Sequence, residues 1–129
     1  MSSQAEMKAT MLKYVASINA GDLEAILALY ADDATVEDPV GTPVVPGSKL
    51  RDFYQTAVAS RCQLKVIAGP FGSFGNACAM AAEVHVPAMP GDAASGPKLI
   101  SLIEVMTFNA AGKIESMRAY WGAEEMRPA

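Results

Sequence analysis

Apolar side chains recur every three to four residues in the first half of the chain and every second residue in the second half. Met7, Met11, Tyr14 and Ile18, joined by Val15, form one face of a helix predicted over Gln4–Ala20. Ser3 and Glu6 have the spacing of a capping box at its start, and Gly21 is placed to end it. Asp22 is placed to cap a second helix, Leu23–Ala31, whose apolar face is Leu23, Ile26, Leu27 and Tyr30. Asp32 and Asp33 follow as an exposed turn. A short strand is expected over Thr35–Asp38, with Val36 and Asp38 on one face and Glu37 on the other. Pro39, Gly41, Pro43, Pro46 and Gly47 then interrupt regular structure. Ser48 is a suitable cap for a third helix, Lys49–Ser60, with Leu50, Phe53, Tyr54, Ala57 and Val58 facing inward.

From Cys62 onward the period is two. Leu64 and Val66 share a face in a strand over Cys62–Ala68. In Ala77–Val86, Cys78, Met80, Ala82, Val84 and Val86 face one way, while Glu83 and His85 face the other. Pro87–Pro97 reads as a loose hairpin loop and Leu99–Phe108 as a long strand. Asn109–Gly112 is its turn, and Lys113–Gly122 is the last strand. There Met117, Ala119 and Trp121 oppose Ser116, Arg118 and Tyr120. Helices followed by consecutive antiparallel strands give an α+β class, with helices packed on one face of a sheet. A curled sheet of this kind encloses an apolar pocket.

The chain has 129 residues, which suits a single domain. A hydrophobic fraction of 51% with 19% charged residues marks a packed globular chain, not a disordered one. The net charge of -4 and the scattered Lys and Arg residues argue against nucleic acid as a partner. No apolar stretch is long enough for a bilayer, and the N-terminus lacks the pattern of a signal peptide. Cys62 and Cys78 have no C-x-x-C spacing and read as reduced thiols of a cytoplasmic protein, a disulfide being the poorer alternative. One histidine and no metal-ligand spacing argue against a zinc or iron site.

Against this background two acids stand out. Ala31–Gly41 reads A-D-D-A-T-V-E-D-P-V-G, and of its four carboxylates only Asp38 shares a face with Val36. Glu104 lies in I-S-L-I-E-V-M-T-F, in phase with Ile100, Leu102, Met106 and Phe108 and flanked by Leu99, Ile103 and Val105 on the other face. An ionised carboxylate there is penalised, so Glu104 is either a neutral acid with a raised pKa or the partner of a cation such as Arg118. The phase turns Arg118 the other way. Tyr14 points inward, bonded either to a backbone carbonyl or to groups of a site. Two neutral donors can hold an oxyanion, and a carboxylate can move a proton at carbon. No activated Ser, Cys or Lys nucleophile is visible. The chemistry suggested is proton transfer beside a carbonyl, with an enolate held between donors.

The run Y-V-A-S-I-N-A-G-D-L-E-A-I-L-A-L-Y-A-D-D-A-T-V-E-D-P-V-G resembles the N-terminal half of bacterial ketosteroid isomerases, and D-F-Y and S-M-R-A-Y-W-G resemble later segments. The resemblance implies the cone-shaped fold of nuclear transport factor 2-like proteins, no cofactor, and a homodimer. It implies Asp38 as general base, moving a proton from carbon 4 to carbon 6 of a 3-oxo-Δ5-steroid. Tyr14 and Glu104 would be the oxyanion donors, with Tyr30 and Tyr54 supporting Tyr14 in a hydrogen-bonded chain. Trp121 and Met117 match residues lining the steroid pocket, and Met80, Ala82, Val84, Leu102 and Val66 suit the walls of a flat apolar ligand. The family's second donor is an aspartic acid, so Glu104 is one methylene longer. Ala82 replaces a larger aromatic of some members, and the Pro87–Pro97 loop is longer than usual. The alternatives are a polyketide cyclase-like or dehydratase-like enzyme on the same fold, and a non-catalytic binder of apolar ligands.

Overall fold

The computed structural model describes residues 3–129. Helix α1 spans Gln4–Ala20 and is capped as its sequence predicts: Ser3 and Glu6 each accept the other's backbone N–H. Gly21 ends it in the left-handed region at φ 65°, its N–H reaching back to the Ile18 carbonyl. Asn19 then ties the helix to the sheet, its amide bonding both the N–H and the C=O of Leu64. Met7, Met11, Tyr14 and Ile18 are buried, so the helix presents the face read from its spacing.

The second helix is shorter than its periodicity suggests. α2 spans Leu23–Ala28, and Tyr30–Glu37 is a strand, β1. Tyr30 fits a helical face and a strand face equally well. Pairing decides between them, because β1 lies parallel to β5 (Ile114–Tyr120), and Ile114 donates to the Leu29 carbonyl at 2.9 Å. Asp32 and Asp33 are therefore exposed residues inside a strand, not a turn; they fall where the pairing register shifts between Tyr30 and Thr35. β1 ends at Glu37, which leaves Asp38 just beyond the strand. A short 3-10 turn, Gly47–Lys49, leads into α3, Leu50–Ala59. A side chain at Gly47 would run into the Asp32 carbonyl, so this turn packs directly on β1.

Strands β2 (Gln63–Phe71), β3 (Ala77–Val86) and β4 (Lys98–Phe108) follow, and β6 (Met126–Pro128), which the alternation does not reveal, closes the chain. The sheet order is β1-β5-β4-β3-β2, with β6 pairing the start of β4 beyond the end of β5. All pairs except β1 with β5 are antiparallel, and the sheet is open. The helices cover one face. This is the α+β, cone-like architecture expected of the sequence. Met80, Met106, Ile114 and Met117 are almost wholly buried on that face, each contributing about 1.5–3 kcal/mol by leaving water. The other face leaves Ile67, Ile103 and Tyr120 exposed. No described helix is long and apolar enough to cross a membrane.

Candidate active site

The acidic stretch divides its carboxylates by direction. Glu37 faces outward and clamps the following turn: it accepts from the Gly41 N–H at 3.0 Å and from Arg118 Nε at 3.0 Å. The Val40 N–H adds a bond to the Ala119 carbonyl at 2.8 Å. These ties turn Asp38 inward, where Trp121 Nε1–H donates to its Oδ1 at 2.8 Å. Burial raises the Asp38 pKa, and the indole bond, which favours the carboxylate, offsets part of that rise. Arg118 is thus committed to Glu37, which settles the alternative in which it pairs with Glu104.

Asp38 and Trp121 stand on the wall of a cavity of about 330 Å³, at the lower end of the range for small-molecule sites. Its sheet wall is Val84, Val86, Ile100 and Leu102, and its helix wall Phe53 and Ala57. Thr56, Ser60 and Cys62 line it at the end of α3, and Met89 and Pro90 at the loop after β3. Of the wall residues expected from sequence, Trp121, Val84 and Leu102 line it. Met80, Ala82, Met117 and Val66 do not: the first three are buried in the core and Val66 is half-buried. Phe53, Met89 and Ile100 are lining residues that sequence reasoning left in the core or the loop. Their signal was present in the inward face of α3 and in the phase Ile100 shares with Leu102. A larger cavity, about 610 Å³, lies between Met7, Phe74, Asn76 and Phe108. It is lined by side-chain amides of Gln4, Asn76 and Asn109 and by the exposed Glu115, and holds no buried acid; Asp38 lines the smaller one.

Two residues beyond Leu102, on the same strand face, is Glu104. It lies opposite Met80 on β3 and Ala119 on β5 and is 3% exposed. Its Oε2 has no hydrogen-bond partner. Burial, and then the charge of Asp38, pushes its pKa up to about 8, so at pH 7 the neutral acid exceeds the carboxylate about tenfold. Two carboxyl groups thus differ by environment. Asp38, with a donor on it, is the one that ionises; Glu104, without one, keeps its proton.

Beside them the phenols of Tyr14, Tyr54 and Tyr30 form a chain. Tyr54 is central, 3.0 Å from the Tyr14 oxygen and in a short bond with Tyr30. All three are buried, and burial raises their pKa values well above the ordinary range. The three hydroxyls can pass protons along the series, with Tyr14 at one end of it. Tyr14 and Glu104 are buried, and neither lines the cavity. His85 is half-buried, outside the lining. No three His, Cys, Asp or Glu side chains converge on a metal position among the described residues. The residues therefore offer one half-buried carboxylate, one neutral acid and a buried chain of phenols, with an apolar chamber against the carboxylate.

Residues 11–117 match the SnoaL-like domain family. The chain is similar to the steroid Delta-isomerase of Nocardioides simplex, with 35% identity over 123 residues covering 95% of this chain and 94% of that one. It is also similar to the epoxide hydrolase LasB of Streptomyces lasalocidi, with 32% identity over 97% of this chain but only 44% of that protein. Among solved structures, the epoxide hydrolase/cyclase-like enzyme SalBIII of pyran ring formation in polyether salinomycin superposes with a TM-score of 0.90 over the full length of both chains, at 26% identity.

Proposed function

The chain belongs to the SnoaL-like domain family of nuclear transport factor 2-like proteins, and from that membership and its likeness to a steroid Delta-isomerase we propose that it isomerises 3-oxo-Δ5-steroids to their conjugated Δ4 form. The observation that carries the reading is the split between Asp38, a half-buried base held by Trp121, and Glu104, an acid that keeps its proton to about pH 8. Asp38 takes a proton from carbon 4. The electrons move into the ring and leave an enolate oxygen at carbon 3, which Tyr14 and Glu104 hold by hydrogen bonds. Protonated Asp38 then returns the proton to carbon 6, so the base is regenerated and Glu104 ends as it began. An acid kept neutral so that it can donate is the established device of ketosteroid isomerases; here a glutamic acid fills that role. The apolar walls of Val84, Leu102 and Phe53 suit a hydrocarbon skeleton.

The test is the rise in ultraviolet absorbance as androst-5-ene-3,17-dione becomes conjugated. Asp38→Asn is expected to lower kcat by at least about 10²–10⁴-fold, the scale of a lost general base. Wild-type turnover no faster than the variant's refutes the reading. The likeness to LasB and SalBIII favours a second reading, in which Glu104 gives its proton to an epoxide oxygen while Asp38 deprotonates an attacking hydroxyl. Opening of an epoxy-alcohol without any steroid turnover selects it. The exposed Ile103 and Tyr120 also support a homodimer across the outer sheet face; sedimentation of wild type against Ile103→Lys tests it.

A further inference from the structure

Polar groups in the cavity lining are unevenly distributed, and their protons are already committed. Thr56 Oγ1 donates to the Asp52 carbonyl at 3.1 Å, and Ser60 Oγ to the Ala57 carbonyl at 2.6 Å. The Cys62 thiol donates to that same Ala57 carbonyl at 3.6 Å. The Trp121 N–H is spent on Asp38. The lining contains no Lys, Arg or His. A hydroxyl has one proton and two lone pairs. With the protons directed at α3 carbonyls, the exposed Thr56 and the half-buried Ser60 have only lone pairs left to offer the cavity.

Their position along the cavity is set by the strand registers. Glu37 pairs with Arg118, so Asp38 stands at the level of Ala119, which pairs with Glu104. The chemistry therefore belongs to the Glu104 level. Gln63 pairs with His85, so Cys62 stands at the level of Val86, which pairs with Lys98. Ile100, the cavity residue nearest that level on β4, is four residues from Glu104, about 13 Å at ordinary strand rise, and the Lys98 level lies two residues further. That is the length scale of a four-ring skeleton. Cys62 thus borders the end remote from the reacting carbonyl; Ser60, which shares the Ala57 carbonyl with it, stands beside it, and Thr56 is one helical turn away.

We propose that the remote end of this cavity is an acceptor-only subsite, formed by Thr56 Oγ1 and Ser60 Oγ, that selects steroids with a hydroxyl at the far end over those with a ketone there. The inference rests on the steroid isomerase reading for the orientation of the ligand. A ligand hydroxyl gains an acceptor without disturbing either existing bond. A ligand carbonyl gains a donor only if Thr56 or Ser60 gives up its bond to the helix.

The test uses 17β-hydroxyandrost-4-en-3-one and androst-4-ene-3,17-dione, which share every feature except the far-end oxygen. Trp121 is the single tryptophan of the chain and lines the cavity, so its fluorescence reports binding directly. The hydroxy steroid is expected to bind about three- to tenfold more tightly, the worth of one net hydrogen bond. In Thr56→Val/Ser60→Ala the ratio of the two Kd values is expected to fall to about one. The corresponding Δ5 pair is assayed for turnover. Absence of turnover with a preserved binding preference refutes the isomerase reading and keeps the subsite. Equal affinities in the wild type, or a ratio the double variant leaves unchanged, overturn the subsite whatever the turnover.

Discussion

Replacing Glu104 by Gln separates a neutral buried acid from every other role Glu104 could have, because the two states carry opposite pH signatures. The unfolded chain gives up this proton near 4.5, whereas the fold holds it to about 8. Between those values the folded state binds more protons than the unfolded one, so raising the pH destabilises the fold. The slope is about 1.4 kcal/mol per pH unit where the difference is one whole proton, and the full span is roughly 5 kcal/mol as a ceiling. Above pH 8 both states are ionised and the slope vanishes. An acid held in an ion pair has a depressed pKa and would do the reverse, losing stability as the pH falls. The amide introduced by Glu104→Gln does not titrate, and the cost of burying it is a constant offset. Urea unfolding of both proteins from pH 5 to 9, followed by circular dichroism, gives the difference directly. The wild type is expected to lose stability relative to Glu104→Gln from about pH 5 to 8 and then level off. A difference that stays flat, or that favours the wild type increasingly as the pH rises, refutes the neutral acid and with it the donor role.

In turnover, kcat/KM is expected to rise as Asp38 ionises, at a pH above that of a free aspartate because burial raises it, and to fall near pH 8 as Glu104 loses its proton. Trp121→Phe removes the bond that favours the Asp38 carboxylate, so the acidic limb of that profile should move to higher pH; an unmoved limb would show that the indole does not act on the base. Tyr54→Phe leaves the Tyr14 and Tyr30 hydroxyls without their shared partner and is expected to cost about 1–3 kcal/mol in urea unfolding. Gly47→Ala forces a methyl group onto the Asp32 carbonyl and is expected to cost about 1–3 kcal/mol, read as a lower urea midpoint at unchanged slope.

The strands carrying the site were legible because a period of two assigns each side chain to a face. Glu104 and Arg118 lie on adjacent strands, and alternation alone put them on opposite sides. Where the fold departs from that reading, pairing between distant segments made the decision. Tyr30 satisfies a helical and an extended pattern at once, and only β5 shows which one holds. β6 is three residues long, too short to alternate, and exists because the start of β4 lacks a partner beyond the end of β5. The chamber was legible only in part for a similar reason. Met80 and Met117 have the phase of the site but are used to fill the core, while Phe53 and Met89 reach it from other elements. Trp121 was legible as a wall. Its second role had a signal too, since a buried indole N–H needs an acceptor and Asp38 is the inward carboxylate at that end of the sheet.

The two ends of the cavity then carry opposite hydrogen-bonding character, and this bears on orientation as well as affinity. On the proposed isomerase reading, the Glu104 end offers the neutral carboxyl and the Tyr14 phenol as donors, with one acceptor, Asp38, already holding an indole proton. Beside Cys62, Ser60 has given its proton to the helix, as has Thr56 one turn before it. A ligand with a carbonyl at one end and a hydroxyl at the other is satisfied in one direction only. Reversed, its carbonyl faces lone pairs and its reactive carbons lie far from Asp38. Apolar walls such as Val84, Ile100 and Leu102 cannot supply that discrimination, because they accept a flat hydrocarbon either way round. On that reading, orientation is set by a few protons: the one Glu104 keeps at one end, and those held by the carbonyls of α3 at the other.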